Sequence, residues 1–232
     1  MKGPLSVGII MDGNRRWAKA KGRPEFEGHE AGETLLFKLL DEYRSLREAW
    51  GTAHYIFYAF STENWSRSKE EIAHLMGIFE RGFRKIEERL SRLLEDGVAV
   101  RFIGERERFS PKLQELMSGV EAKTASGKQG TIAIAISYGG RADILRAANK
   151  LIGQDIEVLT EENLSAASWL RGIPDPDLII RTGGERRLSN FLTWQSVYSE
   201  LAFTDTLWPD FSRAELEKIF ADYASRDRRH GK

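Results

Sequence analysis

The segment Arg181-Thr182-Gly183-Gly184-Glu185-Arg186-Arg187-Leu188-Ser189-Asn190-Phe191 gathers three guanidinium groups, two glycines and a serine directly after the apolar run Leu178-Ile179-Ile180. These residue types bind diphosphates. Arginine presents a rigid fork of donors to phosphate oxygens, glycines let backbone N–H groups approach the same oxygens, and a serine hydroxyl adds a short-range donor. A solvated basic loop is the alternative, but it needs neither Gly-Gly before the charges nor a strand to aim them. A second polar group follows the apolar run Val7-Gly8-Ile9-Ile10-Met11, which stops at Asp12-Gly13-Asn14-Arg15-Arg16-Trp17. In an open α/β sheet, ligands bind beyond the carboxyl ends of the strands. A helix starting near Asn14 would present free N–H groups and the positive end of its dipole to an anion, and Asp12 would hold a metal beside it. Asp12 or Asn14 could instead cap that helix. Capping alone leaves Arg15 and Arg16 without a role, and both assignments can hold together.

Elements of alternating type must position these groups. Strand-length apolar runs lie near residues 6–11, 54–60, 99–103, 131–137, 178–181 and 201–203, separated by longer amphipathic stretches. That is the pattern of a single α/β domain, residues 1–232, with a mostly parallel sheet of about six strands flanked by helices. Ser68 with Glu71 predicts a capping box opening a long helix to about Asp96; Ser110 with Pro111, and Ser212 with Glu215, open two more. Two further strand ends turn polar at once, at Ser61-Thr62-Glu63-Asn64-Trp65-Ser66-Arg67 and at Ser137-Tyr138-Gly139-Gly140-Arg141. With Asp12 and the arginine segment they share one edge of a parallel sheet, whereas Glu200 precedes its strand. Taken singly, each cluster is more often a turn or a cap; their recurrence along one rim describes a polar mouth over an apolar interior.

Composition narrows the classes. Lys+Arg and Asp+Glu both total 35 among 232 residues, so no global basic field recruits nucleic acid and the arginines act by position. The chain has no cysteine, which excludes disulfides, thiolate metal sites and a cysteine nucleophile. Neither a signal peptide nor a membrane span is expected, so the expected location is cytoplasmic.

Six motifs together resemble the cis-prenyltransferases, the family of undecaprenyl diphosphate synthase and related Z-polyprenyl diphosphate synthases. They are Met11-Asp12-Gly13-Asn14-Arg15-Arg16-Trp17-Ala18, Gly28-His29-Glu30-Ala31-Gly32, Phe60-Ser61-Thr62-Glu63-Asn64-Trp65, Tyr138-Gly139-Gly140-Arg141, the stretch from Arg181 to Phe191, and Tyr198-Ser199-Glu200-Leu201 with Trp208-Pro209-Asp210-Phe211. The resemblance runs from about Val7 to Gly231.

It implies an enzyme that condenses isopentenyl diphosphate with an allylic prenyl diphosphate, using Mg²⁺, and forms a cis double bond at each addition. By the resemblance, Asp12 binds the metal with help from Glu200. Gly13, Arg16 and His29 cradle the allylic diphosphate, and Arg181, Arg187 and Ser189 hold the homoallylic one. Ser61, Asn64 and Arg67 line the reacting centre, with Asn14 or a diphosphate oxygen near the proton that is lost. Arg15, Trp17, Glu63 and Trp65 fall in the same motifs and join the substrate-binding set. The resemblance also implies an apolar tunnel, a homodimer, peripheral membrane contact for product release, and an Arg-x-Gly tail whose Arg229 reaches the homoallylic diphosphate. Two departures stand out. Glu25 occupies a position that is usually arginine in the bacterial undecaprenyl enzymes, and the helix after His29 is longer by about four residues, roughly one turn. The trans-prenyltransferases need two aspartate-rich motifs, and no Asp-Asp pair occurs. A non-catalytic accessory subunit, or a variant with a short or irregularly joined product, are the remaining alternatives.

Overall fold

The apolar runs form six strands, and the amphipathic stretches between them become the helices of a layered α/β fold. A computed structural model describes residues 3–154 and 156–226. In chain order the elements are β1 (Ser6–Ile10), α1 (Asn14–Ala20), α2 (Glu25–Asp41), α3 (Tyr43–Trp50), β2 (His54–Ser61), α4 (Lys69–Glu88), α5 (Leu90–Glu95), β3 (Val98–Ile103) and α6 (Pro111–Thr124). There follow β4 (Gly130–Tyr138), α7 (Gly140–Ile152), α8 (Glu161–Ala167), β5 (Leu178–Arg181), β6 (Glu200–Phe203) and α9 (Arg213–Ser225). The sheet order is β3-β4-β2-β1-β5-β6, and every pairing is parallel. The expected α/β class and six-strand sheet are therefore what forms.

Side chains alternate across the sheet with period two. Ile132, Ile134 and Ile136 of β4 join the larger core with Val7, Ile9, Tyr55 and Phe57, while Ala133, Ala135, Ile56 and Ile10 face the other side. Helices α2, α4, α6 and α9 cover the first face; the segments around Leu170–Ile173 and Phe191–Leu192 cover the second. Burial on both faces is why β4 is buried along its whole length and reads as an uninterrupted apolar run. The register Ile10↔Arg181 brings the end of β1 beside the start of the arginine segment, and Ser61↔Tyr138 aligns two further polar strand ends.

Two helix expectations are corrected. The helix predicted to run to about Asp96 breaks at Arg89, whose φ of −96° and ψ of 5° leave the helical region between α4 and α5. Its guanidinium is held by Asp41 of α2 through Nε–Oδ1 at 2.8 Å and Nη2–Oδ2 at 3.1 Å, a tertiary tie that no local pattern announces. The reciprocal capping boxes at Ser68/Glu71 and Ser212/Glu215 are half-formed. Ser68 and Ser212 do accept the N–H of Glu71 and Glu215, each at 3.2 Å, but the two carboxylates turn elsewhere. Full boxes form instead at Ser61/Asn64 and Thr160/Asn163.

Candidate active site

The close crossing of α1 and α2 builds one wall. Gly28 and Gly32 lie one turn apart on α2, and a Cβ at either would stand 2.0 Å from the Asn14 carbonyl oxygen or 2.4 Å from Asn14 Oδ1. Only glycine permits this approach, and it seats the neighbouring His29 beside the end of β1. At the turn into α1, Gly13 adopts φ 112° and is the N-cap, with no side-chain cap of any kind. Neither Asp12 nor Asn14 caps the helix, so the capping alternative fails and the Asp12 carboxylate is left for other work.

That carboxylate is held between two arginines. Arg181 Nη2 reaches Oδ2 at 2.8 Å, and Arg16 Nη2 lies 3.2 Å from Oδ1. Arg16 also donates to the Gly183 carbonyl at 2.6 Å. Thr182, buried, accepts the Asp12 N–H at 3.0 Å and donates to the Asp12 carbonyl at 2.7 Å, pinning the β1 end to the β5 end. The Arg181 side chain is only 5% exposed. Its Nη1 donates to Ser189 Oγ at 2.8 Å and to the Arg187 carbonyl, while Nε is buried without a hydrogen-bond partner among the described residues. Arg187 differs: its side chain is 62% exposed and, among the described residues, pairs with Glu185.

A second charge cluster rims the same cleft. Glu71 accepts from Arg67 Nη1 at 2.8 Å, and its carboxylate lies 3.7 Å from Arg15 and 3.9 Å from His29 Nε2. Arg15 also pairs with Glu25 at 3.6 Å, so the departure at Glu25 is matched by a local arginine. Burial, with the charges of Arg67, Arg15 and His74, pushes the His29 imidazole down to about 4. His29 is therefore neutral at pH 7, with Nε2 buried and without a hydrogen-bond partner among the described residues. Because its unfolded value is 6.5, protonation favours the unfolded chain: the stabilisation is complete above pH 6.5 and is lost as the pH falls toward 4. Urea unfolding across that window is expected to fall less steeply for His29→Gln than for the native protein, by at most about 3 kcal/mol at the acid end. Parallel curves would contradict the assignment.

The polar residues and the apolar core meet at Met11, Asn14 and His29, which line three contiguous cavities. One is a polar cleft of about 1400 Å³, including its open mouth, lined by Asp12, Arg67, Arg181, Arg187 and Ser189 among others. Another is an apolar cavity of about 670 Å³ between α2, α4 and the sheet, walled by Leu36, Phe37, Leu75, Ile78, Phe79 and Phe83. Ile86 lines both this cavity and a smaller one of about 370 Å³ beneath Arg89 and Asp41.

Most of the expected site residues gather at this cleft: Asp12, Gly13, Asn14, Arg15, Arg16, His29, Ser61, Glu63, Asn64, Arg67, Arg181, Arg187 and Ser189. Three are placed otherwise. Trp17 is buried with Nε1 on Asp210 at 2.7 Å, and Trp65 packs on Phe60 and Phe109 with Nε1 on Ser137 at 2.9 Å. Both rings serve packing. Glu200 pairs in register with Leu178 at the opposite edge of the sheet from Asp12, roughly 10 Å or more along the strands, and holds Arg226 Nη1 at 2.7 Å. It does not share a cation with Asp12 of its own chain. Arg229 lies outside the described residues. Asn64 spends its Oδ1 on the Ser61 N–H at 3.0 Å, shaping the 3-10 turn Thr62–Ser66, while Asn14 Oδ1 is buried without a hydrogen-bond partner among the described residues. Glu71, Thr182 and Asn190 also belong to this site, with no signal of their own for it in the sequence. Glu71 carried the signature of a cap, and the other two sat inside a motif whose arginines dominated.

The Prenyltransf family profile of undecaprenyl diphosphate synthases matches residues 10–231. The isoprenyl transferase of Aquifex aeolicus is 45% identical, over 100% of this chain and 97% of that protein. A crystal structure of lavandulyl diphosphate synthase from Lavandula x intermedia, in complex with dimethylallyl diphosphate, superposes with a TM-score of 0.90 at 32% identity, over 99% of each chain. A probable undecaprenyl diphosphate synthase from Campylobacter jejuni superposes with a TM-score of 0.79 at 33% identity, over 100% of each. A profile match across nearly the whole length, with relatives this similar over their own full lengths, makes the chain a member of the undecaprenyl diphosphate synthase family and an enzyme that transfers prenyl groups.

Proposed function

We propose that this enzyme condenses isopentenyl diphosphate with an allylic prenyl diphosphate and forms a cis double bond with each unit added. The observation that carries this reading is the junction at Met11, Asn14 and His29, where a cleft lined by arginines opens onto an apolar cavity. By this reading the arginine-lined cleft takes the two diphosphates and the apolar cavity takes the hydrocarbon chain.

The donor set suits Mg²⁺. No group of three or more His, Asp or Glu side chains able to hold a metal occurs among the described residues. Mg²⁺, however, commonly takes one or two carboxylates and completes its shell with substrate phosphate oxygens and water. Asp12, a single carboxylate at a strand end among arginines, would hold it. Bound there, Mg²⁺ would supply Lewis-acid stabilisation of the departing diphosphate.

The remaining work falls to the chain itself. Arg16 and neutral His29 bind the allylic diphosphate, with Arg67 and Arg15 held at the rim by Glu71. As the allylic carbon–oxygen bond breaks, charge grows on the leaving oxygens, where prepositioned guanidinium groups stabilise it most. The new carbon–carbon bond forms to the isopentenyl unit, whose diphosphate is held by Arg187, Ser189 and Arg181. The proton lost afterwards passes to an oxygen of a bound diphosphate, beside Asn14. Arg187→Ala is expected to raise the Michaelis constant for isopentenyl diphosphate about ten- to hundredfold, because an exposed side chain loses one charge-assisted contact of about 1.5–3 kcal/mol. Steady-state kinetics that leave this constant unchanged would remove Arg187 from the clamp.

The described residues contain no helix long and apolar enough to cross a membrane, and release of a long apolar product is read as contact with a membrane surface. Tyr198, 86% exposed, and Val197, 70% exposed, adjoin β6 and support a homodimer through that edge. A second reading, a short or irregularly joined product, is favoured by the TM-score of 0.90 to lavandulyl diphosphate synthase. Purified protein with Mg²⁺, labelled isopentenyl diphosphate and a panel of allylic primers tests the activity. Label in a lipophilic diphosphate supports it, and no transfer to any primer refutes it.

A further inference from the structure

The backbone that carries Ser189 is strained. Ser189, Asn190 and Leu192 take φ values of 49°, 64° and 50°, in the left-handed region that side chains other than glycine enter at a cost. Such a loop persists only where its surroundings over-determine it. Asn190 supplies much of that determination. Its Nδ2 donates to Glu63 Oε1 at 2.9 Å, and its Oδ1 accepts the Arg141 N–H at 2.9 Å. Its backbone carbonyl accepts the Gly140 N–H at 2.7 Å. The glycine pair at the β4–α7 turn exists to receive this loop. A Cβ on Gly139 would stand 2.7 Å from Asn190 Nδ2, and one on Gly140 would stand 2.2 Å from Thr193 Oγ1. Tyr58 adds a donor from the sheet, within 3.3 Å of the Ser189 carbonyl. Ser189 in turn meets Arg181, which holds Asp12.

From this we infer that Asn190 is a positioning residue for the homoallylic clamp, tying the turn after β2, the turn after β4 and the strained loop after β5 into one assembly that fixes Ser189 and Arg181. The inference rests on the proposed condensation. Asn190 does not itself need to touch substrate. Its bond to Glu63 links the clamp to the loop that also carries Ser61 and Asn64. Burial raises the affinity of Glu63 for a proton, but hydrogen bonds from Asn190 and neighbouring groups more than offset this, so Glu63 is ionised at neutral pH.

The donor and acceptor across this contact can be exchanged. Asn190→Asp keeps the acceptor for Arg141 but sets a carboxylate against Glu63. Combining it with Glu63→Gln restores a donor facing an acceptor in the opposite sense. Asn190→Asp is expected to raise the Michaelis constant for isopentenyl diphosphate about twentyfold, with the constant for the allylic diphosphate within about twofold of native. The double variant is expected to return to within about threefold of native. Glu63→Ala, which leaves the strained loop's own sequence intact, is expected to raise the same constant about tenfold. Melting temperatures accompany each variant. An active native enzyme whose isopentenyl constant is unchanged in folded Asn190→Asp and Glu63→Ala, or whose double variant is no better than Asn190→Asp, overturns the role of Asn190 alone. A native enzyme that does not use isopentenyl diphosphate overturns the proposed function instead.

Discussion

Asp12→Ala is expected to lower condensation by several orders of magnitude while the protein remains folded, because Asp12 is the proposed Mg²⁺ ligand and the other carboxylates around the cleft, Glu63, Glu71 and Glu25, are engaged by Asn190, Arg67 and Arg15. The local structure does not depend on this side chain. Asp12 caps nothing, and its backbone is held independently by Thr182 and by the Trp208 N–H. What the alanine leaves behind is the Arg181 guanidinium without its carboxylate, so a modest fall in melting temperature is expected alongside the loss of turnover. Asp12→Asn separates the two effects. It keeps an oxygen acceptor for Arg181 but lacks the charge, so stability is expected to return toward native while turnover stays low. Near-normal turnover of either variant at saturating Mg²⁺ would contradict the proposed metal role.

Arg181→Ala is expected to be the second most damaging change, and to act on kcat as well as on KM. The sequence presents Arg181 and Arg187 as equivalent members of one clamp. The structure separates them, since Arg187 is exposed while Arg181 is buried and simultaneously holds Asp12, Ser189 and the Arg187 carbonyl. Removing one member of a buried ion pair costs up to about 3–5 kcal/mol, and the partly exposed Asp12 places this case at the lower end. Expressed in the transition state, that is a fall in kcat/KM of about a hundredfold to a thousandfold. Arg181→Lys is expected to rescue little, because an ammonium cannot reproduce the planar fork that reaches Asp12 and Ser189 together. An Arg181→Ala enzyme with native kcat and a raised KM alone would return Arg181 to simple substrate binding.

The strands and their polar ends were legible because the central strands are buried on both faces and the chain turns polar as soon as it leaves the sheet. Asp12, Arg16, His29, Arg181 and Ser189 could be placed by composition and motif. Residues whose roles are set by distant partners could not. Arg89 interrupts a good helical pattern because Asp41 lies 48 residues away in sequence. Glu71 reads locally as a cap, yet its carboxylate is drawn to Arg67 and Arg15. The motif points Glu200 toward the metal, and the parallel register of β6 with β5 shows instead that it begins its strand at the far edge. Trp17 and Trp65 stand in the right motifs, but their indoles are spent on Asp210 and Ser137. In each case the missing information was long-range geometry.

Determining the geometry of the newly formed double bond tests the central claim most directly. The purified enzyme would extend an allylic primer with carbon-13-labelled isopentenyl diphosphate, with Asp12→Ala as the control, and the product would be characterised by nuclear magnetic resonance. The account predicts head-to-tail joining with a cis double bond at every added unit, and no product from the control. A trans double bond, an irregular junction between units, or equal product from Asp12→Ala would contradict it.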